Sequence, residues 1–104
     1  MAAVGRIGSS SRMASRWRRR RMCILVADGP APAALRTVSA SGAFLETNLR
    51  PALGDSVELR HPEAGAIAAT VRALADDGIE LGFARSEASV AFALAAIAAD
   101  MSRP

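Results

Sequence analysis

Ser56–Phe83 reads SVELRHPEAGAIAATVRALADDGIELGF, and the periodicity of this stretch decides the fold. Val57, Leu59 and His61 alternate with Ser56, Glu58 and Arg60, the pattern of a half-buried strand. Pro62–Gly65 turns the chain, after which Ile67, Ala69, Val71 and Ala73 alternate with Ala68, Thr70, Arg72 and Leu74. Asp76-Asp77-Gly78 carries hairpin chemistry, and Ile79, Leu81 and Phe83 resume the period of two. Working back toward the N-terminus, Met22–Ala27 is a continuous apolar run of strand length, and Asp28-Gly29-Pro30-Ala31-Pro32 reads as the turn that ends it. Leu35–Ser39 and Gly42–Thr47 are two further strands, interrupted at Ala40-Ser41-Gly42 by a bend or bulge. Leu49–Asp55, with Pro51 and Gly54, is a loop. Five or six short strands joined by tight turns predict a mostly β fold, a small antiparallel barrel, because closure removes the exposed edges of a small sheet.

Working forward, a helix is expected over about 86–101. Ser86 is a good cap, Glu87 favours the positive end of the helix dipole, and alanine dominates the rest of the segment. Val90, Leu94, Ile97 and Met101 fall on one face at spacings of four, three and four. Phe92 lies off that stripe, which fits a second contact with the barrel or an oligomer seam; the barrel contact is the expectation. Only four residues are aromatic, so Phe44, Phe83 and Phe92 are expected to carry much of a thin core.

At 104 residues the chain is one small domain. Residues 1–15 are small, polar and glycine-bearing and read as a flexible basic arm, leaving 16–104 for the folded domain. All thirteen basic residues are arginine. Seven of them fall within residues 1–27, which hold no acid; residues 28–104 hold six against ten carboxylates. That asymmetry points to an anionic partner for the N-terminal segment. The single cysteine, Cys23, excludes an internal disulfide, and with one histidine it excludes a Cys/His metal constellation. Cys23 sits in an apolar strand and reads as inert core, in keeping with a reducing compartment. No segment is apolar for long enough to span a bilayer.

Arg16-Trp17-Arg18-Arg19-Arg20 places two arginines four apart immediately before the first strand, and Thr37-Val38-Ser39-Ala40-Ser41-Gly42 follows seventeen residues later. Arginine holds phosphates bidentately and stacks on bases. A strand hydroxyl and a glycine add a hydrogen bond and room for close approach. Together these features point to a nucleotide receptor.

The ordered set resembles the PilZ domain family: an RxxxR segment, a (D/N)xSxxG strand, the turn Gly54-Asp55-Ser56-Val57, and the strands Ala69–Arg72 and Ile79–Phe83, followed by a helix. The resemblance covers roughly residues 16–100. It implies a six-stranded antiparallel barrel with a C-terminal helix, a bacterial cytoplasmic setting, and non-catalytic binding of cyclic di-GMP with no further cofactor. It also implies that Arg16 and Arg20 grip phosphates and guanine edges, that Ser39 bonds the ligand and that Gly42 allows the strand geometry. The implied ligand-binding set is Arg16, Arg20, Thr37, Ser39 and Gly42, with an effector protein downstream. The chain departs from the family at Thr37, where the pattern has Asp or Asn. Loss of that acceptor for guanine N–H groups costs about 1–3 kcal/mol, or ten- to hundredfold in affinity.

Two other readings fit the same residues. One is a degenerate PilZ-like module that binds protein and no longer binds nucleotide. The other, less favoured, is a small nucleic-acid-binding protein using residues 6–21 as a basic arm, with Trp17 stacking on a base. Enzyme chemistry is disfavoured: Asp76 and Asp77 belong to a hairpin turn, His61 alternates with core residues, and neither builds a nucleophile–base set with Cys23.

Overall fold

The computed structural model describes residues 21–101. Six strands come first: β1 (Met22–Val26), β2 (Pro30–Ser39), β3 (Gly42–Glu46), β4 (Ser56–His61), β5 (Gly65–Ala75) and β6 (Gly78–Gly82). One helix, α1 (Glu87–Met101), closes the described chain. The strands form a closed barrel in the order β1-β2-β3-β6-β5-β4, every pair antiparallel, with β1 against β4 completing the ring. The expected fold class is therefore the observed one. The N-terminal arm over residues 1–15, and with it Arg16, Trp17 and Arg20, lies outside the described residues.

Alternation fills the barrel. Cys23 and Leu25 of β1, Leu45 of β3, Leu59 of β4, Val71 of β5, and Ile79 and Leu81 of β6 are fully buried, while their sequence neighbours mostly face out. Burying one such aliphatic side chain stabilises the fold by about 1.5–3 kcal/mol. Burial also pushes the Cys23 thiol up to about 11, against a smaller opposing influence of Arg21, so the group is an inert part of this core.

The turn expected over residues 28–32 is shorter than the sequence implied. β2 already begins at Pro30, and Pro30 and Pro32 pair with Val26 and Ile24. Two prolines are tolerated there because β3 pairs with β2 only from Ala34 onward, leaving the other side of Pro30–Ala33 without a ladder to interrupt. Likewise, Ala40-Ser41 is a two-residue hairpin turn between Ser39 and Gly42, with no bulge. The bulges lie elsewhere, at Arg36 in β2 and at Arg72 in β5.

The helix starts where Ser86 indicated. The Ser89 N–H donates to Ser86 Oγ at 3.2 Å and the Ser86 N–H donates to Ser89 Oγ at 2.9 Å, a reciprocal cap. Phe92 enters the core, edge-on to Phe83 at 5.7 Å and to His61 at 6.0 Å between ring centres. His61 closes the barrel end, its Nδ1 accepting the backbone N–H groups of Glu63 and Ala64 at 3.0 Å each. Burial first, and then the Arg21 guanidinium, hold its pKa below the ordinary 6.5.

Two expectations about packing are corrected. Phe44 is half-buried on the outside of the barrel rather than in its core. The helix packs through Ser89, Phe92, Ala93 and Ala96, and the bulkier Val90–Met101 stripe faces out. Alanine allows the helix axis to approach the barrel closely, and Phe92 alone supplies the large anchor.

Candidate functional site

Strand register places the candidate residues in two rows across the outer face of four strands. Ser39 pairs with Gly42, Gly42 with Gly82, and Gly82 with Thr70. One step along, Thr37 pairs with Phe44, Phe44 with Glu80, and Glu80 with Ala73. The first row has glycine at its two central positions, so it forms a trough between Ser39 and Thr70.

Close approach requires glycine at position 42, while at position 82 a flexible side chain takes the space. A Cβ on Gly42 would collide with the Leu81 carbonyl oxygen, and a Cβ on Gly82 would occupy the place of the Arg72 guanidinium. Arg72, the bulged residue of β5, therefore lies across the Gly82 backbone. Its ionic neighbour is Glu80, at 3.9 Å, with both side chains about half exposed (52% and 50%). Such a pair is weak and free to rearrange.

The opposite wall is built differently. Arg36, the bulged residue of β2, stacks on the Phe44 ring with 4.4 Å from its guanidinium carbon to the ring centre. It also donates to Glu46 at 2.8 Å from Nε, and it pairs with Asp77. These two carboxylates, led by Asp77, raise the Arg36 pKa above its ordinary value, and Arg36 in turn holds the Asp77 carboxyl below its own. Arg36 is therefore neutralised in place.

Thr37, Ser39, Gly42, Phe44, Arg72 and Glu80 line one open cleft of about 210 Å³. That is smaller than the roughly 300–1,000 Å³ of pockets for drug-sized ligands. It has room for one purine base rather than a whole cyclic dinucleotide. The Ser39 hydroxyl accepts the Ser41 N–H at 3.2 Å and lies 3.0 Å from Ser41 Oγ, so it also holds its own hairpin turn. The Phe83 N–H donates to the Ser41 carbonyl at 2.9 Å and ties that turn to the end of β6. A larger cleft of about 490 Å³ lies between Met22, Pro32, Glu46, Thr47 and Asp77. Its two carboxylates, Glu46 and Asp77, are both engaged by Arg36, whereas the smaller cleft gathers the strand residues selected from the sequence together with Arg72.

Three of the five residues selected from the sequence, Thr37, Ser39 and Gly42, thus come together. Arg16 and Arg20 lie outside the described residues, but the chain to which they connect is placed. The Leu35 N–H donates to the Arg21 carbonyl at 2.9 Å, next to the Arg36 bulge and two residues from Thr37. Arg72 and Glu80 were not singled out by the sequence, and Phe44 was expected in the core rather than at this cleft. The sequence carried no local signal for Arg72 and Glu80, which reach Thr37 and Gly42 only through strand register.

The residues considered for catalysis have structural roles here. Asp77 serves Arg36, His61 serves the turn after β4, and Cys23 lies in the core. Comparison with protein-family models, curated proteins and solved structures gives no match to this chain.

Proposed function

We propose that the chain is a cyclic di-GMP-binding, non-catalytic adaptor domain of PilZ type that passes ligand occupancy to an effector protein in the bacterial cytoplasm. The observation that carries this reading is the convergence of Thr37, Ser39 and Gly42 with Arg72 on one outer cleft. The departure point of the arginine segment beside Leu35 supports it. Arg20 is bonded directly to Arg21, and Arg16 stands only five residues before it, an extended reach of about 17 Å. In this reading Arg16 and Arg20 clamp the two phosphates and fold over the ligand, completing an enclosure that the shallow cleft lacks.

Arg72 offers a guanidinium plane to a guanine face. Glu80 answers the deficit at Thr37: guanine presents N–H donors on its Watson–Crick edge, and a carboxylate in the same cleft accepts them. The loose Arg72–Glu80 pair opens at little cost to admit the base. Ser39 contributes its hydroxyl, and Gly42 leaves the trough floor open.

Titration calorimetry with cyclic di-GMP on the wild type and on Arg20→Ala tests the reading. Binding in the wild type, weakened at least tenfold in Arg20→Ala, is the expected result. Absent heat in the wild type, or equal affinity in the two, overturns it. A second reading, a PilZ-like protein-binding module without nucleotide, is favoured by the engagement of Ser39 with Ser41 and by Thr37 itself. Under that reading Thr37→Asp gains nucleotide binding that the wild type lacks.

A further inference from the structure

The outward helix face carries an observation independent of the nucleotide reading. Val90, Leu94, Ile97 and Met101 are 42%, 63%, 40% and 78% exposed, although they are the bulkiest side chains on the helix apart from Phe92. The inward face is already occupied by Ser89, Phe92, Ala93 and Ala96, and the start of the helix is fixed by the Ser86–Ser89 cap. A rotation of the helix to hide the stripe would expel Phe92 from between His61 and Phe83. Among the described residues nothing covers the stripe, which leaves it open to a partner.

We propose that this face pairs with the same face of a second copy of the chain, as an antiparallel two-helix seam. The spacing of four, three and four is that of alternating core positions in a helix pair. A two-fold axis at the middle of the stripe sets Leu94 against Ile97 of the second copy and Val90 against its Met101, so the face is self-complementary. Ala91 and Ala98, also exposed, flank the stripe and let two backbones approach.

Charge selects this occupant. No Lys or Arg occurs between Glu87 and Met101, whereas a helix lying on an anionic membrane presents basic residues beside its apolar face. The acids, Glu87 and Asp100, stand near the two ends of the helix, and nothing within the stripe calls for a charged partner. Parallel pairing would set the two Glu87 side chains together, while antiparallel pairing separates them by about 25 Å along the axis. So short an apolar stripe stays below the roughly 1,200–2,000 Å² of a standard interface, so the expected dimer is weak and depends on concentration.

Sedimentation velocity on the full chain, from about 1 to 100 µM, tests the proposal in the range where so small an interface populates a dimer. The wild type is expected to move from the 10.8 kDa chain mass at the low end toward twice that mass at the high end. Leu94→Lys is expected to stay at the monomer mass throughout, with an unchanged circular dichroism spectrum because position 94 faces out. Leu94→Gln, which adds no charge, is expected to weaken association at least tenfold. A wild type that stays monomeric at the highest concentration overturns the proposal, as does a Leu94→Lys protein that still dimerises. A monomer that instead co-sediments with phosphatidylglycerol vesicles in a Leu94-dependent manner assigns the face to a membrane and also overturns it. Rapid disulfide dimer formation by Glu87→Cys would reject the antiparallel arrangement.

Discussion

Two arginines occupy equivalent local positions in this barrel and have opposite fates. Arg36 and Arg72 are each the extra residue of a β-bulge, in β2 and β5, and each projects onto the outer face. Arg36 is stacked on Phe44 and paired with Glu46 and Asp77. Arg72 rests over a glycine with one carboxylate 3.9 Å away. A bulge re-aims a side chain, but the neighbours decide whether that side chain is spent on the fold or left for a ligand. Even the nearby glycines follow the division. A Cβ on Gly78 meets the Leu45 carbonyl and the Phe44 ring, both fixed, whereas a Cβ on Gly82 meets only the flexible end of Arg72.

The sharpest way to break this comparison is to fill the two glycines. Gly78→Ala is expected to lose about 2–3 kcal/mol in urea unfolding, because backbone must move to make room. Gly82→Ala is expected to lose less than about 1 kcal/mol, because Arg72 swings aside, while its nucleotide affinity falls with the displaced guanidinium. Equal losses in the two would show that Arg72 is held as firmly as Arg36.

Removing the arginines themselves exchanges the readouts. Arg72→Ala is expected to lower cyclic di-GMP affinity ten- to hundredfold, the equivalent of about 1–3 kcal/mol, with melting temperature unchanged. Arg36→Ala is expected to cost about 1 kcal/mol of stability through the lost ring contact and exposed pairs, with little change in affinity.

How far the sequence reached is governed by the same physics. Alternation through Ser56–Phe83 was enough for the barrel, because the inward positions are apolar apart from His61 and each turn has its own residues. The start of β2 was hidden because proline signals a turn unless one side of the strand has no partner. The packing face of the helix was hidden because alanine lies all around it. Periodicity identified the bulky stripe, but the close contact was made by the small residues and Phe92. At the site, Thr37, Ser39 and Gly42 were legible as a local motif, whereas Arg72 and Glu80 join them only through strand register. Sequence spacing carries no record of that pairing before the strands are ordered.

A smaller effect tests the lock on Arg36 alone. The Asp77 carboxyl is held below its ordinary 3.8 first by the hydrogen bond from Arg36. Its folded value is depressed, so the pair contributes fully above about 3.8, and the contribution is lost as pH falls through the lower folded value. Carboxyl chemical shifts tracked through acid titration are expected to place the Asp77 midpoint below 3.8 in the wild type and to move it upward in Arg36→Ala.

The most direct test of the trough as the ligand site is a cyclic di-GMP titration of the isotope-labelled chain, read out by backbone amide shifts. Saturable movement confined to Thr37, Ser39, Gly42, Arg72 and Gly82, with the helix amides of Val90–Met101 still, is the result that a ligand in the trough requires. No movement at saturating nucleotide, or movement centred on the larger cleft around Glu46 and Asn48, would contradict it.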